Sequence, residues 1–239
     1  MRIKLEFQLK QTAIPRSFRK SFMSFIKHSI DEYHPEAFAD YFDKTKCVSK
    51  SYSFAVAFPR ETKFQGNTIM LRESHCSMTF SSANLYDITM FYNAFMKQMN
   101  RPYPIGPDNY LILHELSFEN VMPILKDTVT VQMLSPLCLR QHDRATNRDQ
   151  YITWEDENFE QAAAEHMIAQ LKAMGRHPSE IQFTAVQGKK TIVSEFGITF
   201  AVSIGTYRIQ ADPETLNLLQ YAGIGSRRNA GFGLFRVIQ

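Results

Sequence analysis

Cysteine is scarce in this chain. There are three in 239 residues, Cys47, Cys76 and Cys138, widely spaced and in no C-x-x-C arrangement. An odd, scattered set excludes a disulfide framework and a C-x-x-C zinc module, and it is the usage expected of a protein in a reducing cytoplasm. No apolar run approaches the ~18 residues of a membrane span, and the alternation of charged and apolar residues from the second position is not a signal peptide. No membrane is expected among the partners. Excess charge is small: 27 Lys and Arg against 24 Asp and Glu leave a net +3, so a polyanion site has to be a local patch. The seven histidines form no H-x-x-x-H or H-E-x-x-H pair, and no paired carboxylates of the two-metal nuclease kind occur. G-x-S-x-G and papain-like cysteine signatures are absent too. Metal, esterase and protease chemistry therefore have no footing, and no cofactor is expected. The single tryptophan, Trp154, sits among Glu155, Asp156 and Glu157, which would repel a phosphate backbone.

What is present is an apolar share of 44% with 19 Phe, ample for a packed core, in a regular order of elements. Arg2 to Lys10 alternates, with Ile3, Leu5, Phe7 and Leu9 on one face of a half-buried strand. Pro15 suits a helix entrance, and Phe18, Phe22, Phe25, Ile26 and Ile30 recur at helical spacing to Tyr33, where His34-Pro35 stops the run. A short helix over 36–42, a lysine-rich loop over 43–50, strands over 51–58 and 68–80 (a break near Glu73-Ser74 is the alternative in the second), a helix over 85–99 and a strand over 110–118 follow. After a linker at 121–126 the order repeats. A strand spans 128–134, an insertion 135–157, a helix 158–174 and short strands 181–186 and 190–193. A strand or hairpin at 197–209, a helix at 213–221 and a strand at 234–238 complete it. Two consecutive β-α-β-β-α-β units predict an α+β chain of two tandem ferredoxin-like domains, residues 1–121 and 122–239, with a cleft between them.

Glycine is sparse as well, ten residues in all, yet four of them fall in Gly223-Ile-Gly-Ser-Arg-Arg-Asn-Ala-Gly-Phe-Gly233. Glycine permits close backbone approach and positive φ, so such a run can present several N–H groups in one direction. Arg227 and Arg228 add guanidinium forks suited to phosphate oxygens. The order helix, glycines, strand is the reverse of a dinucleotide fingerprint, which excludes the Rossmann and P-loop readings. A helix C-cap at Gly223 with an ordinary loop is the plainer alternative. The loop residues Gly223, Gly225, Ser226, Arg227, Arg228, Asn229, Gly231 and Gly233, with Lys27, are the expected polyanion contacts.

The pattern G-x-G, five residues including basic ones, G-hydrophobic-G and a short last strand resembles the glycine-rich loop of the repeat-associated mysterious proteins of CRISPR systems. Together with Leu134-Ser-Pro-Leu-Cys-Leu139, it makes the whole chain similar to the repeat-cleaving endoribonucleases (the Cas-six family). The resemblance implies binding of precursor guide RNA and one cut per CRISPR repeat. Non-catalytic relatives share the loop, so an RNA-binding subunit of an interference complex is the alternative. A general single-stranded RNA-binding protein of the RRM type lacks its aromatic strand motif here. Other interference subunits and a second copy of the chain are partners that the resemblance leaves open.

RNA cleavage without metal needs a base for the ribose 2′-hydroxyl, an acid for the departing 5′-oxygen and cations for the phosphorane. The products are a 2′,3′-cyclic phosphate and a 5′-hydroxyl. Histidine suits the acid–base roles at neutral pH. His28, at the edge of the buried stripe of the first helix, is the first candidate, and the resemblance supports it. A satisfied surface histidine is the alternative there, as helix capping is for His34. The resemblance pairs the histidine with a tyrosine and a lysine, pointing to Tyr33 and to Lys46 or Lys50. Relatives that place the histidine later find Asp43-Lys44 here. Arg140, Arg144 and Arg148 recur every four residues, but Asp143 and Asp149 offset them, so the insertion reads as solvated loop before RNA contact.

Overall fold

A computed structural model describes residues 1–42, 50–143, 145–178 and 180–239. The first half contains β1 (Arg2–Leu9), β2 (Ala13–Pro15), α1 (Phe18–Tyr33), α2 (Pro35–Tyr41), β3 (Tyr52–Ala57), β4 (Lys63–Gln65), β5 (Thr68–Met70), β6 (His75–Ser82), α3 (Leu85–Lys97), β7 (Pro102–Gly106) and β8 (Asn109–Glu119). The second contains β9 (Thr128–Met133), β10 (Leu139–Asp143), β11 (Arg148–Ile152), α4 (Phe159–Ala173), β12 (Gln182–Glu195), β13 (Ile198–Gln210), α5 (Pro213–Ala222) and β14 (Phe235–Val237).

The two main sheets have orders β3-β6-β1-β8-β7 and β12-β13-β9-β14. Setting aside the edge strand β7, each reads 2-3-1-4 in order of appearance, with antiparallel neighbours throughout. Each also takes a helix after its first and third strand. That is the ferredoxin-like arrangement, made twice. The alternation of β1 works as expected: Ile3, Leu5, Phe7 and Leu9 are buried under α1 and α3 among Phe22, Phe25, Phe91 and Phe95. The second core gathers Val131, Phe159, Met167, Phe183, Tyr207 and Leu219.

Four details differ from expectation. The stretch expected as a strand over 68–80 is two strands in different sheets, β5 beside β2 and β4, and β6 between β3 and β1. Pro15 lies in β2, paired with Thr68, and α1 begins only at Phe18. The short strands expected at 181–186 and 190–193 are one strand, β12, bulged between Ala185 and Gln187. Gly188 lets that strand continue, because a Cβ there would fall 2.5 Å from the Trp154 ring. The insertion is not simply a loop, since β10 and β11 pair as a hairpin.

A third, smaller cluster lies where the two domains meet: Cys138, Phe200, Val202, Ala230 and Phe232, with Met23 of α1 packed on it. Buried polar bonds cross the same junction. Arg2 donates to the carbonyls of Gln220 (2.7 Å) and Phe235 (2.5 Å), and Ser81 donates to the Tyr221 carbonyl (2.7 Å). Arg19 of α1 reaches the Gly231 carbonyl (3.1 Å) and pairs with Glu195 at the end of β12 (3.2 Å). The domains are thus joined by desolvated contacts, where a lost partner is costly.

Candidate nucleic-acid interface

Helix α5 is capped by Asp212, which accepts from the Thr215 N–H, and ends at Gly223 with φ 72°. The glycine-rich loop then folds back on itself and on the 134–139 stretch. Ile224 donates to the Gly233 carbonyl (2.9 Å), Gly233 to Pro136 (2.9 Å) and Ser226 to Cys138 (2.7 Å). Leu234 donates to Ser135 Oγ (3.0 Å) and its carbonyl accepts from Leu134 and Ser135. The two sequence stretches that carry the family resemblance are therefore bonded to each other. Gly233, at φ +75°, comes so close to Ile224 that a Cβ would sit 1.9 Å from its carbonyl oxygen.

This geometry corrects the broad phosphate cradle expected from four glycines. Gly223, Gly225, Gly231 and Gly233 are buried, and the N–H groups of Gly223, Gly231 and Gly233 are spent on backbone carbonyls. The glycines shape the loop and do not form its surface. The reachable face is Ser226, Arg227, Arg228 and Asn229, all half-buried. There a left-handed Arg227 (φ 57°) leads into a 3₁₀ turn, and the N–H groups of Arg227, Arg228 and Asn229 have no acceptor among the described residues. The Arg227 guanidinium stacks on Phe200 (5.0 Å) and donates to Tyr151 Oη (3.0 Å). Arg228 donates to the Gly225 carbonyl (3.0 Å), and burial pushes its pKa down to about 10. The Nε atoms of both arginines are buried without a partner.

The candidate acid–base residues are spread around α1. His28 is 39% exposed, with Nε2 3.6 Å from Glu32 Oε1 and its ring 5.2 Å from that of Tyr103. Glu32 also accepts from Gln98 (2.7 Å) and Arg101 (3.4 Å). The Gln98 amide, with smaller help from His28 and Arg101, holds the Glu32 carboxyl below its ordinary pKa. Nine residues separate His28 from Arg19, about 180° around the helix, so His28 faces away from the loop that Arg19 touches. His34 caps α2: its Nδ1 accepts from the Ala37 N–H at 3.2 Å. Tyr33 accepts from Asn93 (3.2 Å), with Lys97 over its ring. Lys27 and Lys50 both lie 5.2 Å from the Phe42 ring. Lys44, Lys46 and Cys47 fall outside the described residues. Sequence reasoning missed Arg2 and Arg19, whose roles depend on partners more than 170 residues away.

Residues 119–237 match the family model of CRISPR associated protein Cas6, C-terminal. Among solved structures, a RAMP protein that binds different RNA substrates superposes with a TM-score of 0.85 at 19% identity, covering 100% of both chains. The product of a Cas6-related gene from Pyrococcus furiosus gives 0.85 at 18%, covering 100% of this chain and 98% of its own. A CRISPR associated protein Cas6 gives 0.79 at 17%, covering 100% and 99%. No curated protein sequence matches the chain. With the matched model beginning at the end of β8 and closing on the glycine-rich loop and β14, the chain belongs to the CRISPR-associated Cas6 family.

Proposed function

We propose that the protein is an endoribonuclease that binds CRISPR repeat RNA in precursor transcripts and cuts it by attack of the ribose 2′-hydroxyl, without a metal ion. Membership of the Cas6 family supports the coarser role, RNA binding and processing in a CRISPR system. Residues 1–121 would be the domain carrying the chemistry and residues 122–239 the domain carrying the loop. The observation that carries the finer reading is the His28–Glu32 pair. It places a half-exposed imidazole beside a carboxylate that is itself held by Gln98 and Arg101. A carboxylate beside an imidazole can orient the ring for general acid–base work. Arg227, Arg228 and the unpartnered N–H groups of the 227–229 turn would hold phosphates elsewhere on the strand.

Labelled repeat RNA incubated with the protein in excess EDTA is expected to give one discrete cut per repeat. Activity that appears only on adding magnesium would contradict the metal-independent reading. A second reading, an RNA-binding member without catalysis, is favoured by the occupied Nδ1 of His34 and by His28 facing away from the loop. It predicts tight binding with no cut at any enzyme concentration.

The loop is tested separately. Arg227→Ala with Arg228→Ala is expected to weaken repeat binding and flatten its salt dependence, each lost phosphate contact lowering the slope by about 0.7 for a single strand. Equal slopes for variant and wild type would make the loop structural only.

A further inference from the structure

Between the β10–β11 hairpin and α4 lies a groove of about 520 Å³, lined by Arg140, Gln141, His142, Gln150, Glu165 and His166 among others. It is continuous with the reachable face of the glycine-rich loop. The Arg140 N–H donates to Ser226 Oγ (3.3 Å), and Tyr151, opposite Arg140 in the hairpin, accepts from Arg227.

The groove's carboxylates are already partnered. Asp149 accepts from His142 Nδ1 (2.8 Å) and Arg140 (3.3 Å). Asp143 takes the Ala145 N–H (2.8 Å) and the Thr146 hydroxyl (2.6 Å), and Glu165 takes Gln161 (2.8 Å). These neutral donors leave Asp143 and Glu165 charged, so the groove carries both signs, and Arg140, His142 and His166 are its donors toward an anion. His142 has its Nδ1 committed, which leaves Nε2. His166, half-buried on α4, lines the same groove. Gln141 and Gln150 are directly opposite in register, so their amides share one face of the hairpin.

We propose that this groove is an additional RNA contact, taking one nucleotide with its phosphate at Arg140, His142 and His166 and its base edge at the amides of Gln141 and Gln150. The inference rests on the RNA-binding reading above. An imidazole and a guanidinium suit phosphate oxygens, and paired amides suit the donor and acceptor edges of an unstacked base. Continuity with the Arg227 turn makes the occupant part of a strand that runs along both.

The groups facing His166 decide its response to pH: Arg140, His142 and Asp143 on the hairpin, Glu165 on its own helix and Arg228 on the loop. Burial pushes the His166 pKa down, Glu165 opposes this, and Arg140 and Arg228 add to it. A bound phosphate favours the charged imidazole, so affinity should rise as pH falls.

Binding of labelled repeat RNA, in EDTA and at several salt concentrations from pH 6 to 8, tests the inference. Arg140→Ala with His166→Gln is expected to weaken binding about tenfold, to lower the salt slope by about 0.7 per lost contact and to flatten the pH dependence. Arg140→Lys alone should restore most of the salt slope. Arg140 is 41% exposed, so its removal leaves the core packing in place. Unchanged affinity, salt slope and pH dependence in the double variant, alongside a loss in Arg227→Ala with Arg228→Ala, would overturn the groove and leave the functional reading standing. A wild-type protein that binds no repeat RNA would overturn both.

Discussion

Arg19→Ala is expected to cost about 3–5 kcal/mol of stability, the loss usual when one partner of a buried ion pair is removed. In a chain of this size that is roughly 6–20 °C in melting temperature. Arg19 is 11% and Glu195 1% exposed, and one Glu195 oxygen already lacks a hydrogen-bond partner. The guanidinium also lies over the Phe18 and Phe232 rings at 4.5 and 4.7 Å and donates to the Gly231 carbonyl. Without it, a buried carboxylate faces a void between the two domains. Burial already pushes the Glu195 pKa up, and Arg19 is what opposes the rise. A carboxyl whose folded pKa is raised contributes stability below its unfolded pKa, and that stability is lost as pH climbs through the folded value. The deficit of Arg19→Ala should therefore be largest near neutrality and shrink in acid, and Glu195→Gln on the variant should restore part of it. Thermal melts at two pH values check this. An equal deficit at both, with no rescue by Glu195→Gln, would make the cost one of packing alone.

His28→Ala should slow single-turnover cleavage by at least about a hundredfold while leaving repeat affinity nearly intact. General acid or base participation is worth ~10²–10⁴ in rate, and one imidazole adds little to backbone binding. His34→Ala should cost less than about tenfold in rate and about 1 kcal/mol of stability, because its ring finishes a helix end. The reverse outcome, cleavage abolished by His34→Ala and kept by His28→Ala, would move the base to the α1–α2 junction and preserve the mechanism. Should even the double variant cut at the wild-type rate, histidine is not the catalyst. Tyr33, Lys46 and Lys50 would then be left to act through orientation and charge.

Much of the fold was readable because it rests on local periodicity. The alternation of β1, the stripe of α1 and the Asp212-Pro213 start of α5 each state a face and an end without knowledge of the partner. The 2-3-1-4 strand order follows from the repeated β-α-β-β-α-β sequence and the packing it allows. Contacts between distant residues are another matter. Arg2 looked like the solvent side of a strand and is buried, because two carbonyls from the far end of the chain wait for it. The continuity of β12 across 187–189 was not legible, because the fit of Gly188 depends on Trp154, which lies against it from a distant part of the chain. The glycine-rich loop was legible as a special stretch, but its chemistry was overdrawn. Which N–H groups point outward depends on Pro136 and Cys138, and no pattern within the loop names them.

Replacement of the single ribose just upstream of the cut by its 2′-deoxy form tests the proposed chemistry most directly. With the nucleophile removed and every other contact in place, the protein should bind the substituted repeat with nearly unchanged affinity and leave it intact, in EDTA, over many times the cleavage half-life of the all-ribose strand. Cleavage of the deoxy-substituted strand at the same bond would contradict attack by the 2′-hydroxyl.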